Sequence, residues 1–310
     1  MVGQMDQDIL AKISEPRLAK YRAEFQVRSN EHAYAIYLWN KLLAGALIPI
    51  MQSIEVSLRN AINDAIRTDM NYGWLWFTRV YRNKDLPSNF EKLHHQIVNK
   101  FTHHDLDLLK ENKDPNYKVI LSKIYDRKIK KGTPSAKRSY NQHIVGSLML
   151  GSWVVLLNSE YVDNNHKKKL WPNLTGKVFP NAVGTEKDNL FQIYNDVRLF
   201  RNRVSHNEPL WRPSATGDLI SDSIKQMSMQ YDSLLHALSL ISENKRKQVE
   251  QSIATVRFRE ICNREFYNQI VDNYVQGRLK LCKHCGSTYR SFTNRSCQCP
   301  EKKPIGIKLY

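Results

Sequence analysis

The chain has 310 residues, 47 Lys and Arg against 30 Asp and Glu, a formal net charge of +17 at pH 7, and 41% hydrophobic residues. This composition excludes a wholly disordered chain, and the length suits one large or two ordinary domains. The basic excess calls for a polyanionic partner, nucleic acid before anionic lipid.

Four of the five cysteines lie near the carboxyl end, which argues against a disulfide framework spread through the fold. No charged-then-apolar leader opens the sequence. The longest apolar run, residues 144–157, is too short for a bilayer and is interrupted by Gly146, Ser147, Gly151 and Ser152. The expectation is a cytoplasmic protein with no membrane partner.

The first thirty residues read as a polar lead-in with a short helix near residues 10–20. Ser29 and Asn30 are good N-caps for a long helical pattern that begins at Glu31. Pro49 is expected to kink or break that helix. Ile50, Ile54, Leu58, Ala61 and Ala65 then recur at helical spacing, with Glu55, Arg59 and Asn60 off the stripe. Glu55 and Arg59 stand four apart, so they either form a surface ion pair worth about 0.2–0.5 kcal/mol or, with Asn60, line a pocket.

An aromatic cluster over residues 71–82 reads as a loop packed on the helices, and His94, His95, His103 and His104 suit an exposed helix face better than a metal site. Lys123, Arg127, Lys128, Lys130, Lys131, Lys137 and Arg138 then form a basic run that ends in the loop-like GTPSAKRS. It is either a solvated face or a contact for an RNA backbone. Residues 142–157 read as a buried helix containing Gly151, Ser152 and Trp153. Residues 158–185, with Pro172, Gly176, Pro180 and Gly184, read as a connecting excursion.

The stretch DNLFQIYNDVRLFRNRVSHNEPLW, residues 188–211, carries the chemistry. Leu190, Ile193, Val197, Phe200 and Val204 alternate steps of three and four, the period of one buried helical stripe. At about 100° per residue, Asn202 and His206 fall away from that stripe, and Arg201 flanks it. Pro209 biases Glu208 out of the helical region and places His206 in the last turn. A guanidinium suits phosphate oxygens and transition-state charge, and an imidazole suits proton transfer near neutrality. RNA carries its own nucleophile in the 2′-hydroxyl, so this pair fits metal-independent RNA cleavage with no catalytic cofactor.

RNRVSHNEPLW resembles the RNxxxH signature of the HEPN superfamily, and its acidic-proline-aromatic continuation resembles the Abi-like, abortive-infection branch. YLWNKLLAGALIPIMQSIEVSLRN, residues 37–60, is similar to that family's first helices, with a WN pair and an I-E-x-x-L-R-N run. The GSW step at 151–153 is similar as well, so the resemblance spans about residues 30–240. It implies an all-α helical bundle, and a homodimer that brings two RNRVSH segments into one cleft. It also implies an endoribonuclease of the toxin type in phage defence, held silent by a bound small RNA. Arg201 would clamp the scissile phosphate and His206 would shuttle the proton. Asn202 would orient the imidazole or the phosphate, with Ser205 a weaker contributor.

Leu219, Ile220, Ile224, Met227, Tyr231, Leu234, Leu235 and Leu238 mark a last bundle helix, and residues 244–264 read as a charged bridge. The expected division is therefore a helical domain over residues 1–260 and a basic cysteine-rich module over 261–310. In that module Cys282, Cys285, Cys297 and Cys299 match a small zinc ribbon or knuckle, although the second pair is CxC; His284 or Cys262 could replace one ligand. Four thiolates would close the coordination sphere and make the zinc structural. Arg278, Lys280, Lys283, Arg290 and Arg295, around Tyr289 and Phe292, form a second candidate RNA grip. Two alternatives to the nuclease remain: a non-catalytic protein that holds a structured RNA in a basic cleft, and a zinc-dependent DNA-binding regulator.

Overall fold

The computed structural model describes residues 12–70, 133–158, 161, 170–211, 217–274, 279–281 and 288–290. Among them the fold is all-α apart from one short antiparallel ribbon. The chain forms two compact units: residues 1–49, 203–233 and 251–310 make unit one, and residues 50–202 and 234–250 make unit two.

Unit one begins with α1 (Glu15–Phe25), which has a proline in its first turn and closes on Gln26 in the left-handed region. The long helix α2 (Asn30–Thr68) follows. Its start is capped as the sequence suggests, with the His32 N–H donating to Ser29 Oγ at 3.1 Å. Leu18, Tyr21 and Phe25 of α1 are buried, as are Ile36, Trp39, Leu43 and Leu47 of α2.

Helix α2 is continuous through Pro49, so of the kink or break expected there the break does not occur. A proline removes one N–H and crowds the carbonyl four residues back. That residue is Gly45, whose missing Cβ would meet nothing within 4 Å, and both residues face solvent. Water can therefore take the orphaned carbonyl. Among the described residues α2 is also the one helix long and apolar enough to cross a membrane by length and composition. Leu43, Leu47, Ile50, Ile54 and Leu58 are nevertheless buried within the protein, while Leu42, Ile48 and Val56 are exposed.

In unit two, α3 (Pro134–Ser147) is helical where a basic loop was expected, so Lys137 and Arg138 stand on a helix. The sequence PSAKRS starts a helix because proline fits the first turn, and the Lys137 N–H donates to the Thr133 carbonyl at 3.0 Å. The expected single helix over 142–157 is two, α3 and α4 (Leu150–Val155), separated by extended Met149.

The excursion after α4 is more than a connector. Trp171 is 1% exposed and donates its indole N–H to the Leu156 carbonyl at 2.6 Å, and it stacks on Phe179 near the short α5 (Thr175–Val178). Phe179 meets Tyr194 of α6 (Lys187–Ser205), whose hydroxyl donates to the Ala237 carbonyl at 2.8 Å. Buried apolar rings, not composition, make this segment core.

Helix α7 (Leu219–Ile241) is the expected bundle helix. The bridge after it folds as α8 (Glu243–Glu250) and α9 (Ile253–Ile261), followed by α10 (Arg264–Tyr274). Within unit one, Tyr231 of α7 stacks on Phe258 of α9 and shares a 2.6 Å hydroxyl hydrogen bond with Thr255. Strand β1 (Leu279–Leu281) pairs antiparallel with β2 (Thr288–Arg290), Lys280 opposite Tyr289.

Candidate active site

Helix α6 buries Leu190, Tyr194, Val197, Phe200 and Val204, the stripe read from the sequence except that Tyr194 takes the buried place expected of Ile193, which is half-buried. The candidate residues lie beside and away from that stripe, Arg201 flanking it and Asn202 farther round. Arg201 and Asn202 are half-buried, and Ser205 and His206 are exposed. Arg201 has its Nε buried with no hydrogen-bond partner. The first stretch of unit two ends at Asn202, so Arg201 and Asn202 belong to it, and Ser205 and His206 belong to unit one.

The helix ends one residue earlier than expected, at Ser205, so His206 is its C-cap. Asn207 adopts a left-handed φ of 54°. The Glu208 N–H donates to the Arg203 carbonyl at 3.0 Å and the Asn207 N–H to the Val204 carbonyl at 3.2 Å. These two bonds form a Schellman closure, here with Asn in the position glycine usually holds. An exposed imidazole thus stands where the helix carbonyls converge.

The exit from the helix is held at several points within unit one. Buried Asn40 of α2 donates from Nδ2 to the Glu208 carbonyl at 3.2 Å, and its Oδ1 accepts the Leu210 N–H at 3.0 Å. Arg203 donates to the Pro209 carbonyl. Trp211 packs on Trp39 with ring centroids 4.8 Å apart and meets Phe25 edge-on. Trp39 in turn donates its indole N–H to the Ile261 carbonyl at 2.9 Å and touches Tyr267. Sequence reasoning noticed the WN pair but assigned Asn40 no role. The available signal was a polar residue on the apolar stripe of Ile36, Leu43 and Leu47.

The other pocket candidates divide. Glu55 and Arg59 are half-buried and Asn60 is exposed, all in unit two. Of the two alternatives for this group, ion pair or pocket lining, the geometry adds that Arg59 Nε is buried without a hydrogen-bond partner. In the GSW step, the absent Cβ of Gly151 would meet Arg198 of α6 at 3.5 Å, an ordinary contact. Arg198 instead spends its guanidinium on Asn195 Oδ1.

Of the basic candidates, Lys137 is half-buried and Arg138 exposed. Lys280 and Arg290 lie on the two strands. Lys123, Arg127, Lys128, Lys130, Lys131, Arg278, Lys283 and Arg295 lie outside the described residues, as do the four histidines and the aromatic cluster. Cys282, Cys285, Cys297 and Cys299 lie outside them too, the first two falling in sequence between β1 and β2. Cys262 is described. It is buried in unit one, where its thiol approaches the Ile224 carbonyl at 3.7 Å and Ser228 Oγ at 3.9 Å, and burial pushes its pKa up to about 11. That makes it a core thiol. No cluster of three or more metal-binding side chains occurs among the described residues.

Neither a curated protein nor a solved structure matches the chain. The sequence model of the Abi-like protein family does match, over residues 8–212. That match covers the WN pair, the GSW step and the RNRVSH helix end within one alignment, and it takes in more than half of the 310 residues, so the chain belongs to the Abi-like protein family.

Proposed function

We propose that this protein is a metal-independent HEPN-type endoribonuclease that acts as an abortive-infection toxin. The observation that carries the reading is Arg201: a guanidinium half-buried near the end of α6, with its Nε lacking any protein acceptor. A buried donor left unpaired costs about 1–3 kcal/mol, a cost that makes sense if an anion completes the set. The exposed imidazole of His206 follows one turn later on the same chain.

In this mechanism Arg201 holds a non-bridging oxygen of the scissile phosphate and stabilises the charge of the pentavalent state. His206 accepts the 2′-hydroxyl proton as the 2′-oxygen bonds to phosphorus. The bond from phosphorus to the 5′-oxygen breaks, and that oxygen takes a proton, leaving a 2′,3′-cyclic phosphate and a free 5′-hydroxyl. One imidazole per chain serves one of the two proton transfers, so a homodimer that brings two RNRVSH segments together supplies both. Asn202 orients the imidazole or the phosphate. Arg59 and Asn60 are secondary candidates for contacting the RNA.

The test is cleavage of a labelled RNA by the purified protein. His206→Ala should abolish product while leaving the far-ultraviolet dichroism and the oligomeric state unchanged. Arg201→Lys should lower kcat by about 10²–10³-fold, the usual loss for one anion-stabilising donor. Activity that survives His206→Ala, or that vanishes with EDTA, ends this reading.

The net charge of +17 favours a second reading, in which the protein retains a structured RNA without cutting it. Intact RNA co-purifying at fixed stoichiometry, unchanged by Arg201→Ala, would select it. The tail is proposed to bind one structural zinc through Cys282, Cys285, Cys297 and Cys299. Support comes from the antiparallel pairing of β1 and β2 on either side of the first cysteine pair. Metal analysis should find about one zinc per chain, and Cys282→Ser with Cys285→Ser should lose it.

A further inference from the structure

We propose that Asn40 is a positioning residue for His206, a role that rests on the nuclease reading above but can be measured without it. The Asn40 side-chain amide is 1% exposed and reads two backbone groups two residues apart, the Glu208 carbonyl and the Leu210 N–H. It therefore treats residues 208–210 as a neighbouring strand would, with one donor and one acceptor engaged. On the other side of His206, the helix closes with the Glu208 N–H on the Arg203 carbonyl and the Asn207 N–H on the Val204 carbonyl.

Only His206 and Asn207 lie between the last helical residue and this anchor, and Asn207 takes a left-handed φ of 54°, which asparagine adopts more readily than other non-glycine residues. The residue is exposed rather than enclosed in the core. Its backbone is held at both ends instead. Arg203 on the Pro209 carbonyl and Trp211 against Trp39 keep the anchored segment on α2. Asn40 is the member of the set that contacts the chain on both sides of Pro209. The placement of a proton-transferring group matters steeply, because a shift of about 1 Å can cost about 10²-fold in rate.

The test compares Asn40→Ala and Arg203→Gln with Leu18→Ala, a core variant on α1 outside the hydrogen bonds that hold residues 208–210, in the full-length protein. Three readouts are used: kcat and KM on RNA, the ring resonances of His206 by NMR, and hydrogen exchange of the Leu210 amide. Asn40→Ala should lower kcat by about 10–10²-fold, leave KM within about 3-fold, shift or broaden the His206 ring signals and deprotect Leu210. Arg203→Gln, at a half-buried position, should show the same pattern at smaller amplitude, which keeps the idea testable if Asn40→Ala fails to fold. Leu18→Ala should lose thermal stability without moving the His206 signals. If the wild-type protein does not cut RNA, the nuclease reading fails, and the NMR and exchange readouts alone decide the positioning role. His206 resonances unchanged in both variants, or a kcat loss in Asn40→Ala no larger than in Leu18→Ala, overturns it.

Discussion

His32 and Asp218 make unit one sensitive to acid at two separate points. The His32 ring nitrogen lies 2.8 Å from the Tyr267 hydroxyl, and burial lowers its pKa below 6.5. The folded state therefore binds its proton less readily than the unfolded state, and stability falls as pH drops below 6.5 through the folded pKa. Asp218 is pulled down to about 2, first by its hydrogen bond from Arg264 and then by the Ser221 backbone N–H. Its contribution is complete above 3.8 and is lost as the pH falls through about 2. Denaturant midpoints measured against pH should lose the upper acid-dependent step in His32→Gln and the lower one in Asp218→Asn. Steps that persist in the respective variants would show that other groups cause them. The sequence marks neither residue, because the His32 shift comes from burial within the fold and the Asp218 shift first from Arg264, far along the chain.

Individual elements follow local rules where solvent lets them. Ser252 caps α9 with Oγ accepting the Thr255 N–H, so Ser252→Ala should cost about 1 kcal/mol in equilibrium unfolding. Pro49 stands inside α2 on its exposed side, and Pro49→Ala should stabilise the protein by up to about 3 kcal/mol by restoring the N–H to the Gly45 carbonyl. A loss of stability instead would mean that α2 needs the proline for its shape. The stripes of α2, α6 and α7 were legible because each repeats over several turns. The start of α3 was misread because Gly, Ser and Thr signal a turn, although Thr133-Pro134 also signals a helix start. The core role of Trp171 and Phe179 was hidden, since their packing partners are Leu156 and Tyr194 rather than sequence neighbours.

For the molecule as a whole, the charge of +17 sets how it should meet RNA. An RNA held through 6–10 phosphates should bind about 10³–10⁵-fold more weakly in 200 mM than in 50 mM salt. Filter binding across that range measures it, and a flat profile would remove the electrostatic footing of both the nuclease and the RNA-holding readings. Sedimentation at low and high protein concentration should show a homodimer. A monomer that cleaves RNA at full rate would leave one imidazole to perform both proton transfers.

Periodicity, caps and the RNRVSH and WN motifs determined the all-α class, the burial stripe of α6 and the family, because these depend on spacing along a few helical turns. Tertiary structure alone decided that α2 runs through Pro49, that Leu170, Trp171, Leu174, Val178 and Phe179 are core and that Cys262 is a buried thiol. It also decided that Asn40 grips the chain beyond His206. Each of these depends on groups brought together from distant positions, such as Asn40 with Glu208 and Leu210, and helical spacing carries no record of such pairings.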